Sequence, residues 1–143
     1  MKKRLFALTA SVLLTLGCVG CGGSTAEEPA PAPAPDLTGE WTQVNSNSED
    51  SYHIATIEGD TIEIYWYTAS DETKALYWAG DFVAPETADE PYTWTSTNDR
   101  EKTDSALLAS GDDTKEFTYE AGQISYEAGM MGVTQTIRLE KTE

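Results

Sequence analysis

The segment from Tyr52 to Thr68 constrains the fold more than any other part of the chain. Two runs in which apolar and polar residues alternate, Tyr52–Glu58 and Thr61–Thr68, flank Gly59-Asp60. A side-chain period of two belongs to a strand, because only there do successive residues point to opposite faces. A two-residue turn with Gly59 at positive φ predicts a hairpin. It sets Ile57 against Ile62, Ala55 against Ile64 and His53 against Trp66, all on one face. Thr56, Glu58, Thr61 and Glu63 fall on the other. A one-residue slip would put the isoleucines in water, so the register is well specified.

The same pattern continues along the chain. Ala75–Phe82 reads as the next strand, after a loop Ala69–Lys74. Centring that loop on Asp71 places Trp66 against Leu76, Ile64 against Trp78 and Tyr65 against Tyr77. The predicted buried face is Ile57, Ile62, Ile64, Trp66, Leu76, Trp78 and Phe82. Leu37–Thr42 precedes this block as a first strand. Tyr92–Thr97 follows it with Tyr92 and Trp94 inward. The charged stretch Asn98–Asp104 is predicted exposed, and Ser105–Ser110 is assigned as a short strand. Glu116–Glu120 and Gln123–Glu127 form a second hairpin about Ala121-Gly122, with Phe117, Tyr119, Ile124 and Tyr126 on one face. Ala128–Gly132 is read as a loop. Val133, Gln135, Ile137 and Leu139 alternate in the last strand.

About eight short strands in meander order give an all-β fold. An open sheet of that many twisted strands curls or closes. The expectation is a single small antiparallel up-and-down barrel or strongly curled meander sheet over residues 36–143, with a two-sheet sandwich as the alternative. Gly39-x-Trp41 in the first strand resembles the opening strand of lipocalin-like barrels. That resemblance implies that Trp41 plugs one end of the barrel, and it raises the possibility of a lumen taking a small apolar ligand.

The N-terminus carries a different signal. Lys2, Lys3 and Arg4 precede an apolar run from Leu5 to Leu16, which ends in small residues, Cys18 and Cys21. Charge, length and hydropathy read as a secretory signal peptide over residues 1–17. The apolar run is short of the about 20 residues a helical span needs. Leu-Thr-Leu-Gly-Cys resembles the lipobox of bacterial lipoproteins. The resemblance implies that a cysteine is diacylglycerated and cleaved before. Cys18 is the preferred lipid-attachment site, because it ends the apolar run, and Cys21 is the alternative. Two acyl chains hold a protein on a membrane durably where one does not. The implied place is the cell membrane, lipid-anchored on the extracytoplasmic face. Residues 18–35 then form a disordered tether. Its alternating Pro-Ala run, Pro29 to Pro35, cannot form helix or central strand. At about 3.1 Å per residue it would reach roughly 40 Å from the bilayer.

With 25 acidic and 9 basic residues, the formal charge is −16. Loss of Lys2, Lys3 and Arg4 would make the remainder three charges more negative. Such a surface repels nucleic acid, which is excluded as a partner. No cysteine follows Cys21, so no disulfide supports the domain. His53 is the one histidine, and without other soft ligands no zinc site is expected. It reads as a packed, hydrogen-bonded core residue. Asp99, Glu101, Asp104, Asp112 and Asp113 cluster in two loops, but neither follows the Asp-x-Asp-x-Asp-Gly calcium pattern. No cofactor is called for. No nucleophile motif or phosphate loop occurs. A carboxylate-based enzyme is the least favoured alternative, because 25 acids place some pair at any chosen separation.

A surplus of aromatic residues remains. Tyr65, Tyr67 and Tyr77 alternate against Trp66 and Trp78, and so are predicted to form an outward ladder. An exposed aromatic patch marks a binding surface for protein, peptide or sugar. The reading is a membrane-anchored surface lipoprotein whose β domain has a non-catalytic binding or structural role. Its partner is an envelope protein, a peptide or a small ligand, and the small-ligand-binding barrel is the alternative.

Overall fold

The computed structural model describes residues 30–143; Cys18, Cys21 and the leader lie outside the described residues. Within Ala32–Glu143 the chain forms eight antiparallel strands. They are β1 (Gly39–Gln43), β2 (Ser51–Glu58), β3 (Thr61–Thr68), β4 (Thr73–Asp81), β5 (Tyr92–Thr97), β6 (Thr114–Glu120), β7 (Gln123–Met130) and β8 (Val133–Lys141). One short helix, α1 (Arg100–Thr103), lies between β5 and β6. Strand order is β4-β3-β2-β1-β8-β7-β6-β5, an up-and-down meander that curls into a nearly closed barrel. The barrel, rather than the sandwich, is the outcome expected of eight twisted strands with no crossover.

The first hairpin has the predicted register. Ile57 pairs with Ile62, Ala55 with Ile64 and His53 with Trp66, and Gly59 takes φ 60°. The second hairpin turns on Ala121 and Gly122, both at positive φ, which matches the right-handed twist of the flanking strands. Phe117, Ile124 and Tyr126 are buried, with Tyr119 packed against them. Residues Ala128–Gly132 are not a loop. β7 runs on to Met130, and a tight turn at Met131-Gly132 leads straight into β8.

The strands set up two unlike ends. At one end lie the 59–60 and 121–122 turns, the start of β1 and the end of β8. Trp41 closes this end, 2% exposed, with its indole N–H donating to Leu37 O at 2.9 Å. At the other end lie the loop 44–50, the turn 69–72 and the Met131-Gly132 turn. The core between them is built from Ile57, Ile62, Ile64, Trp78, Phe117, Ile124 and Leu139. It is continuous, as expected of alternation around a closed sheet.

The seam between β4 and β5 is not zipped as a ladder. Gly80 and Asn98 form a single isolated bridge. The segment 98–113 covers the second half of the β4 edge: Asp99 N donates to Ala79 O and Ser110 N to Tyr77 O, both at 2.8 Å. From Tyr77 to Gly80 the edge therefore offers no free row of backbone groups. The strand assignment at Ser105–Ser110 is therefore corrected. These residues form turns, with Leu107 fully exposed, because Ala106 N and Ala109 N bond back to Thr103 O and Ala106 O and the segment meets β4 through Ser110 N. Across the seam Trp78 Nε1 donates to Ser96 Oγ at 3.1 Å, and both residues are fully buried. Ser96→Ala removes the acceptor and leaves a buried N–H unpaired. It is expected to cost about 1–2 kcal/mol in urea denaturation, and an unchanged midpoint would contradict the pairing.

Candidate binding site

A β-bulge in β4 reshapes the face on which the tyrosine ladder was expected. Ile64 pairs with Trp78 as predicted, but Tyr65 pairs with Leu76 and Trp66 with Ala75. Tyr77 is the extra residue. Released from pairing, it turns inward and is 2% exposed. Tyr77 is thus corrected from outward ladder to barrel interior, and the predicted Trp66–Leu76 pairing falls with it. Tyr65 and Tyr67 do face outward. Tyr67 stands opposite Tyr52, with ring centroids 5.3 Å apart. Tyr52 was not singled out from the sequence, although the hairpin register already placed it beside Tyr67.

Inside the open end the interior becomes polar and aromatic. The His53 ring lies edge-on to Trp66 at 3.9 Å, tilted to Tyr77 at 4.8 Å and stacked with Tyr126 at 6.0 Å. His53 Nδ1 shares a 2.5 Å hydrogen bond with the Tyr126 hydroxyl. The histidine is thus packed and hydrogen-bonded, as read from the sequence. Burial, and secondarily the charge of Lys115, pushes the His53 pKa down to about 4. Burial raises that of Tyr126 well above its ordinary value, reinforced by Tyr77. Both groups are therefore neutral at pH 7.

Lys115 completes this layer. Its position, two residues before Phe117 on the same face of β6, is the signal that sequence reasoning passed over. The side chain is 4% exposed. Its ammonium reaches Asp112 Oδ2 at 3.1 Å and Glu127 O at 3.0 Å, and lies 5.4 and 5.3 Å from the Tyr77 and Trp78 rings. A buried cation needs such partners.

Three polar atoms of the cluster find no hydrogen-bond partner among the described residues: His53 Nε2, Trp66 Nε1 and Tyr77 Oη. Unpaired buried polar groups are costly and uncommon in folded proteins. Trp66 is also one wall of a groove of about 340 Å³ at the open end, together with Ala128, Met131, Val133, Gln135 and Ile137. Met131 and Val133 are 98% and 68% exposed on the projecting β7–β8 hairpin. Trp66 is thus shared between the apolar groove and the buried polar cluster, while His53 and Tyr77 lie behind it and do not line the groove.

The acidic loop residues are held by cations and caps. Asp99 caps α1 through the Glu101 amide. Arg100 lies between Asp104 and Asp113, and Asp112 pairs with Lys115. Among the described residues no group of three His, Cys, Asp or Glu side chains is placed to hold a metal. No family model, no curated protein and no solved structure matches this chain.

Proposed function

We propose that the protein is a lipid-anchored binding barrel on the extracytoplasmic face of a bacterial cell membrane. Its role is non-catalytic: it takes a small, largely apolar molecule carrying a hydrogen-bonding group into the groove at its open end. The observation that carries this reading is the apolar groove itself, one wall of which is Trp66, the ring that packs on the buried unpaired atoms of His53 and Tyr77. The barrel architecture, with Trp41 closing the opposite end, supports a lipocalin-like assignment. The anchor rests on the leader sequence, with acylation at Cys18, or at Cys21 in its place.

Two experiments test it. Mass spectrometry of membrane-extracted protein is expected to show an acylated cysteine at the new N-terminus; unmodified thiols on both cysteines would remove the anchor. Titration with the neutral fluorophore N-phenyl-1-naphthylamine is expected to saturate and to quench Trp66. Ala128→Trp, which fills the groove, and Val133→Glu, which charges its rim, should each weaken the fluorophore by about tenfold. Equal binding by both variants would refute the site.

A further inference from the structure

The outward face of β1, β2 and β3 has a chemical gradient fixed by strand register. Nearest the 59–60 turn, Glu58 stands beside Thr61, which pairs in turn with Asp81. The next row across the strands is Glu40, Thr56 and Glu63. Then come Thr42, Ile54, Tyr65 and Leu76, and finally Tyr52, Tyr67 and Lys74. One end of the face is therefore carboxylate-rich and the other aromatic and aliphatic. Two hollows of about 220 Å³ each lie on this face. Glu58, Glu63 and Lys102 line one, and Tyr52, Ile54 and Tyr67 line the other, with Glu40 and Lys74 at its margins. Thr56 is a wall of both, so they form one groove along β2.

The ion pairing within the groove is uneven. Lys102 reaches Glu63 at 2.6 Å, and the Tyr65 hydroxyl donates to the same carboxylate at 2.6 Å. Among the described residues, Glu40 and Glu58 form no ion pair. Among the described residues, Lys74 is the basic residue at the aromatic end, two rows from Glu40 and three from Glu58. An occupant is therefore oriented, with its cationic part toward the 59–60 turn.

We propose that this groove docks an extended cationic segment of another protein. Basic side chains lie over Glu40 and Glu58, and an aromatic or aliphatic side chain packs against Tyr52 and Tyr67. Tyr52 and Glu58 are six residues apart on β2, about 20 Å at strand rise. The basic groups of the partner are therefore four and six extended residues from its apolar group, all on one face of the segment. Charge complementarity with a chain of net −16 favours a cationic occupant and speeds its encounter. The site is on the outside of the barrel and does not depend on the groove at the open end.

The test is isothermal titration of the full-length chain, in neutral detergent at low salt, with the synthetic peptide Trp-Ser-Ser-Ser-Arg-Ser-Arg. The Tyr52→Ser/Tyr67→Ser and Glu40→Gln/Glu58→Gln variants are each expected to bind about tenfold more weakly. Their side chains face outward, and far-UV circular dichroism checks the fold. Glu116→Gln/Glu120→Gln, on the outward face of β6, should stay within about twofold of the parent. An equal loss from the β6 pair would show attraction by overall charge and overturn the site. So would full affinity in the tyrosine or the Glu40/Glu58 variant. Binding of a neutral chito-oligosaccharide with no response to the peptide would assign the face to sugar instead.

Discussion

Gly80→Ala is expected to be the most damaging single-methyl change in the barrel. A Cβ at this position would meet the Ser96 hydroxyl, Thr97 O at 2.5 Å and Trp78 Nε1 at 2.9 Å. Added methyls in a filled interior cost about 1–3 kcal/mol, and this one lies at the upper end. The reason is what it strikes. Thr97 O is backbone, and Ser96 Oγ cannot rotate away without leaving the Trp78 indole unpaired. All three contacts lie on the β4–β5 seam, where the bridge Gly80–Asn98 does the closing. A loss of about 3 kcal/mol would lower the melting temperature by roughly 10 °C or more in a domain of this size. Adding Ser96→Ala to Gly80→Ala should cost less than the two separate losses combined, because one clash is relieved. A melting temperature unchanged by Gly80→Ala would mean that the seam is not closed at Gly80.

Acidification should expose His53 as a second large effect. The folded protein holds its pKa near 4, against an ordinary value of 6.5. Between those pH values the unfolded chain takes up a proton that the folded chain refuses. The contribution is therefore fully present above about pH 6.5 and is lost as pH falls towards 4. A shift of this size corresponds to about 3 kcal/mol at most. Carboxylates titrate in the same range, so the measurement is a difference. Urea denaturation of the parent and of His53→Gln, at pH 7.5 and at pH 4, isolates the histidine. The parent should lose about 2–3 kcal/mol more than the variant. Equal losses would mean that His53 accepts its proton without leaving the interior.

The hairpins were legible because their information is local. Gly59-Asp60 and the alternation around it dictate Ile57–Ile62 and His53–Trp66 without reference to anything distant. The β4 bulge was not legible, because one extra residue leaves the period-two pattern looking intact on both sides of it. Tyr77 consequently changes face, and the ladder inferred from Tyr65, Tyr67 and Tyr77 becomes the pair Tyr52 and Tyr67 with Tyr65 beside it. The segment Ser105–Ser110 misled for a different reason. Its Ala-Leu-Leu-Ala core suggests burial, yet its backbone closes local turns and its last residue, Ser110, bonds Tyr77 O on another strand. Lys115 was missed because lysine is almost never fully buried unless paired. Its inward position needs Asp112 and the Glu127 carbonyl, which only the closed barrel brings together.

The positions at which β1 begins and β8 finishes have a practical consequence. Both lie beside the end plugged by Trp41, with Lys141 paired to Trp41 across the two strands. Anything joined to the protein through either strand, whether a surface, a dye or a fused domain, therefore hangs from the stoppered side. The Trp66 groove points the other way and remains unshadowed, so capture on a chip through either of those strands should leave its binding constants unaltered.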